Sequence, residues 1–243
     1  MNRLTAMRII GWVMVVSAVG FGLFTIVFGI VSPAQEIHAV HNAVVGSLLL
    51  VLSAPPAITV AREPDRALRS LVILAAVGVA GLATMAMSLT LDPFTLPFVV
   101  AIGVLWAIVP SRDGTVPVGR PSLIMLALVV VAAVPLILYA LGQAEQQRID
   151  QASEHAAFFH WVETSFYAIA ILLLGFLAAL RPSAFRIAAW MGGLALVILG
   201  GASVLLGQHA SALPAPWGWA AVVGGALFVA VAEWERRRVD LVS

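Results

Sequence analysis

The sequence contains no cysteine and no lysine. Without Cys there are no disulfides, no thiolate metal ligands and no cysteine nucleophile. Without Lys there is neither a Schiff base nor a lysine nucleophile. Charge is scarce as well: 10% of residues are charged and the net charge is +1, against about 25% charged in an ordinary soluble domain. So small a basic balance argues against a nucleic-acid partner, because binding phosphates relies on accumulated basic surface. What is abundant is apolar. Of 243 residues 62% are hydrophobic and mean hydropathy is +1.05, more than any soluble core needs.

These residues are gathered in runs bounded by charge, Pro or Gly at Ile9–Val31, Ala39–Ala61, Leu68–Thr90, Phe94–Val109, Ser122–Leu141, Ala156–Leu180, Ala184–Leu206 and Trp217–Ala232. A membrane-crossing helix takes about 20 residues, so the pattern predicts an all-α integral membrane protein of eight transmembrane helices, the fourth short, with no room for a soluble domain. Arg3 and Arg8 before an apolar run that ends near Ser32-Pro33-Ala34 resemble a signal peptide. The run exceeds the usual apolar core of a signal, about 7–15 residues, and is read as a retained helix.

All thirteen basic residues are Arg. In the eight-helix order twelve fall before the first run, after the even runs or at the C-terminal end, and Arg148 alone falls on the opposite side. Cytoplasmic loops carry the basic excess, so the sequence predicts a multi-pass protein of the cell's inner or plasma membrane with both termini cytoplasmic. Trp12, Trp106 and Trp234 near the inner ends and Trp161, Trp217 and Trp219 near the outer ends suit two interfacial aromatic belts.

The two halves align as a repeat. Setting His41 against His160 brings His-Asn-Ala-Val-Val-Gly-Ser, an apolar run and Arg69 into line with His-Trp-Val-Glu-Thr-Ser-Phe, an apolar run and Arg186. Four helices per half insert the same way up, which predicts a 4+4 parallel internal repeat, residues 1–115 and 116–243, within one membrane domain.

His38, His41, His155, His160 and His209 all map to the outer side. Glu36-Ile-His38-Ala-Val-His41 sets two imidazoles three apart, and His160-Trp-Val-Glu163 an imidazole and a carboxylate three apart. Residues at i and i+3 share a helix face. If the second and sixth helices are neighbours, His38, His41, His160 and Glu163 converge into a metal cage of three nitrogens and one carboxylate, built as bundles build such sites. Imidazole with carboxylate suits zinc, copper or iron, and His41 with His160 is alternatively a pair of axial ligands for a b-type haem. A carboxylate two turns into a membrane helix costs a few kcal/mol unless paired, so Glu163 needs a partner. The plainer alternatives are that His38 and His41 cap their helix at the wet interface, and that Glu163 is a protonated acid bonded to Thr164, Ser47 or a carbonyl. His155 and His209 read as loop residues. Met85 and Met87 are either a soft copper(I) pair or core filler. Pro55-Pro56 and Pro135 should bend their helices, the paired glycines mark close helix contacts, and Gln143–Glu154 reads as an external loop or short surface helix.

Three functions are compatible with this pattern. The leading one is an outward-facing His/Glu metal- or haem-binding protein serving redox chemistry, metal handling or metal-assisted hydrolysis. The others are a proton-coupled transporter of small solutes and a structural or assembly subunit of a membrane complex. The bilayer is the expected partner, with a further membrane protein or a second copy of the chain compatible as well; whether the protein is an enzyme stays open.

Overall fold

The computed structural model describes residues 2–31, 38–110, 120–180 and 186–240. Ser32-Pro33-Ala34, Glu36, Arg112, the expected half boundary at 115/116, Arg181 and Ala184 lie outside them. Among the described residues the regular elements are helices: α1 (Arg3–Val31), α2 (Ala39–Arg62), α3 (Leu68–Ser88), α4 (Thr95–Ile108), α5 (Leu123–Ile149), the short α6 (Glu154–Ala157), α7 (His160–Leu180), α8 (Arg186–Leu205) and α9 (Ala215–Asp240). All but α4 and α6 are long and apolar enough to cross a membrane, seven in number, as a multi-pass membrane protein requires. The fourth apolar run forms a helix of 14 residues.

The central helix is α7, which touches α2, α3, α5 and α8. Its buried face holds Phe166, Tyr167, Ile171 and Leu174. Tyr167 is fully buried and its hydroxyl donates to the carbonyl of Ala195 at 3.0 Å while accepting from Ser47 Oγ at 2.6 Å, which ties α7 to α8 and α2. The least buried spans are α1, α5 and α9. On α5, Val130, Val131, Val134 and Leu138 are all exposed, a surface consistent with lipid contact.

Helices pack closely at three crossings. A Cβ added at Gly46 of α2 would stand 3.1 Å from the carbonyl oxygen of Gly22 on α1. At the α5–α7 crossing the Ser165 hydroxyl donates to the carbonyl of Ala140 at 2.9 Å. Gly193 and Gly200 of α8 face Gly225 and Gly218 of α9, where a Cβ at Gly200 would come within 2.4 Å of the Gly218 oxygen. Small residues allow such contacts where no hydrophobic force drives helices together.

Pro55-Pro56 was expected to bend or break the second helix. The helix does not break: the residues ahead of the pair, Leu48–Ser53, take a wider π turn, and α2 continues to Arg62. Proline clashes with the carbonyl four residues back; the wider turn avoids the clash, and Ser53 Oγ donates to the Leu48 carbonyl at 3.0 Å. The polar segment after Leu141 also differs from expectation. It extends α5 to Ile149 because Ala144 and Gln147 are buried, Gln147 donating to the Ala156 carbonyl at 3.0 Å. Trp161 is not a belt residue. It is buried and stacks on His155 with ring centroids 4.9 Å apart.

Candidate metal centre

The centre lies where α2 and α7 begin. Asp150 ends α5, and Ser153 caps α6 by accepting from the Ala156 amide at 3.2 Å. Phe159 then takes a left-handed backbone conformation, φ 63°, and α7 starts at His160. In an unbroken helix positions five apart point about 140° away from each other. The break at Phe159 brings His155 back to the side of His160.

The donor atoms of His38, His155 and His160 all lie within 4.8 Å of one another. His160 Nδ1 is 3.0 Å from His38 Nδ1, and His38 Nε2 is 3.6 Å from Glu154 Oε2. His38 is 2% exposed although it stands at the end of α2, and its side chain makes no capping bond to that helix. The capping alternative for His38 is therefore set aside: the ring is spent on the cluster.

His41, one turn further along α2, stacks on His160 with ring centroids 3.5 Å apart at 25°. Its Nε2 lies 3.1 Å from Glu163 Oε2, both side chains being buried. The partner that Glu163 needs is thus His41. The alternatives weighed from the sequence are engaged elsewhere, Thr164 Oγ1 on the His160 carbonyl and Ser47 Oγ on Val44 and Tyr167. His41 Nδ1 is buried and has no hydrogen-bond partner among the described residues.

Sequence reasoning brought His38, His41, His160 and Glu163 together, and the four are neighbours here. It ranked His155 as a loop residue and passed over Asp92. Asp92 is fully buried before α4, where Oδ1 accepts from the Phe94 amide at 2.9 Å and Oδ2 accepts from the Thr95 hydroxyl. Asp92 lies near Glu163, and with Glu154 at His38 three carboxyl groups and four imidazoles share this end of the bundle. Asp92-Pro93-Phe94-Thr95 does carry the signature of a capped turn, the one local signal that marks it. His209 sits in the α8–α9 connection and is not among the clustered donors. Met85 is buried, and Met87 packs against the hydrophobic core, as core filler does.

Comparison with protein-family models, with curated proteins and with solved structures finds no match. The chemistry rests on the geometry alone.

Proposed function

We propose that this chain is a multi-pass membrane protein that holds one metal ion, zinc, copper or iron, at the histidine cluster. The observation that carries the proposal is the convergence of His38, His155 and His160 donor atoms within 4.8 Å. Two nitrogens on one tetrahedral zinc stand about 3.3 Å apart, given Zn–N distances of about 2.0–2.1 Å, and the 3.0 Å between the Nδ1 atoms of His38 and His160 needs only a small adjustment to match. Three imidazoles leave a fourth position for water or substrate, the pattern of catalytic rather than structural zinc. His41 and Glu163 flank the ion. Of the four-ligand set read from the sequence, His38 and His160 are assigned as ligands; His41 and Glu163 brace the His160 ring or supply the fourth ligand.

A single ion is favoured over a haem. With the His41 and His160 rings stacked at 3.5 Å, a porphyrin plane does not fit between them.

The internal repeat is part of the proposal. Exchanging α1 with α5, α2 with α7, α3 with α8 and α4 with α9 carries the pairings α1–α2, α2–α3, α3–α4 and α1–α4 onto α5–α7, α7–α8, α8–α9 and α5–α9, and α2–α8 onto α3–α7. The α3–α5 contact has no counterpart of comparable size. A pair of equivalent residues in contact must lie at the axis of such an exchange, which is where the stacked His41 and His160 stand. The Gly22–Gly46 and Ala140–Ser165 crossings are equivalent within one residue of the same alignment. These matches support halves at 1–115 and 116–243 and eight helices with α4 as the fourth span; the orientation, with cytoplasmic termini and an outward-facing site, is proposed from the arginine distribution alone. The repeat also keeps a proton-coupled transporter as the second reading, since transporters carry their sites at repeat interfaces.

The deciding measurement is metal content together with an absorption spectrum of the purified protein. About one ion per chain, lost in His155→Ala and His160→Ala variants that still fold, is expected. No bound metal after loading with zinc, copper(I) or iron(II) would remove the proposal, and a Soret band would replace the ion with a haem.

A further inference from the structure

A cavity of about 610 Å³ lies between α1, α2 and α4 and is closed at one side by Glu163 and Phe166 of α7. Its walls are mainly apolar, among them Val16, Phe24, Leu49 and Phe98. The polar side chains in the lining are Ser17, Ser53, Thr95 and Glu163. Two are already used: Ser53 donates to the Leu48 carbonyl and Thr95 to Asp92. Glu163 keeps capacity. Its Oε2 meets His41 at 3.1 Å, and the carboxyl group has a second oxygen to offer the chamber it lines. The exposed apolar face of α1, with Val13, Val16, Phe21 and Phe24, borders this chamber, so access is through the lipid side.

We propose that this cavity takes up a membrane-dissolved alcohol, a molecule with a long apolar body and one hydroxyl, and presents that hydroxyl to Glu163. The apolar walls select the body, as ligand pockets do with few placed polar groups. Glu163 selects the head. A carboxylate accepts a hydrogen bond and a carboxylic acid also donates one; a hydroxyl serves both forms, whereas an ether or ester serves only the acid. The molecule also contains its own control. A second cavity of about 170 Å³ lies between α5, α7, α8 and α9, in the corresponding place of the other half, and apart from the Trp217 indole its lining has no polar side chain. The proposal goes beyond the metal site and stands whether or not an ion is held at His38.

The test uses the full chain in phosphatidylcholine nanodiscs, a hexadecanol carrying a mid-chain diazirine, and its methyl ether as the matched probe. After photolysis, peptide mass spectrometry locates the adducts. Adducts of the alcohol should concentrate on α1 and α4 around Gly20, Phe24 and Phe98, exceeding those of the ether there by about fivefold, the weight of one net hydrogen bond. Glu163→Leu should erase that preference while leaving apolar labelling in place. Gly20→Leu should reduce labelling by both probes; a Cβ at Gly20 meets nothing within 4 Å, so the branch leaves the backbone without a clash. Equal labelling by alcohol and ether, or adducts spread alike over both cavities and the lipid face of α5, would overturn the proposal. Zinc measured in the same samples separates the two readings: absent metal with selective labelling strikes only the metal centre, and bound metal with unselective labelling strikes only the cavity.

Discussion

His41 and His160 come from the starts of two different helices and lie stacked, with ring centroids 3.5 Å apart. Because His41 also reaches Glu163 at 3.1 Å, whatever fixes the carboxyl group fixes both rings. Glu163→Gln and His41→Ala should each weaken zinc binding about 10- to 100-fold, as removal of a bracing partner does. Removing His38, His155 or His160 should abolish stoichiometric binding. The double variant Glu163→Gln with His41→Ala should lose little beyond either single change, since residues acting as one unit are not additive. Titration calorimetry and metal per chain measure this. Unchanged zinc in Glu163→Gln, with a raised melting temperature, would leave Glu163 as a buried acid and nothing more.

Acidification tests the imidazoles together. A metal-bound imidazole is neutral, so protons compete with the ion. Affinity should fall on acidification, because each ligating nitrogen must be free of its proton to hold the ion. With three nitrogens in competition the fall should be steeper than about one decade per pH unit. Zinc affinity that does not fall at all on acidification contradicts histidine ligation.

Phe159 separates backbone from side chain. Its φ of 63° is a conformation that costs an L residue about 1–2 kcal/mol and glycine nothing. Phe159→Gly and Phe159→Ala both lose the ring that meets Phe94 edge-on at 6.2 Å, so their difference isolates the backbone. The glycine variant should be the more stable by about 1 kcal/mol and should keep more zinc. Equal stability of the two would mean that the helix break, and with it the return of His155, is not what holds the cluster.

Orientation follows from arginine alone and has its own test. Tags at the C-terminal end and after Arg62 should be reached only from the cytoplasm, and tags near Gln146 and Ser211 only from outside. A C-terminal tag labelled from outside inverts the site with the rest of the chain.

The apolar runs were legible because a helix that crosses a bilayer must satisfy its own backbone and be apolar throughout, so α2, α3, α4, α7 and α8 stand within a few residues of where hydropathy alone puts them, while α1 begins earlier, at Arg3, and α9 runs on to Asp240. The convergence of His38, His41, His160 and Glu163 was legible for a second reason: spacing of three on two helices placed side by side by the alignment. His155 was not. It joins only because the chain reverses at Phe159, and nothing in a phenylalanine announces a left-handed residue. Asp92 escaped because its burial depends on how the turn before α4 folds under α7, a tertiary fact with no local periodicity. The end of α5 was misplaced because Gln147 is held by the Ala156 carbonyl, a partner that polarity along the chain does not reveal.

The π turn at Leu48–Ser53 has a consequence for how α2 meets its neighbours. A wide turn absorbs one residue more than α geometry needs, so positions on opposite sides of it share a face at a spacing one longer than an unbroken helix allows. The segment that aims His41 at α7 and the segment that lays Ala57 and Val60 against α1 and α3 are thereby phased separately, like two gears on one shaft joined by a coupling.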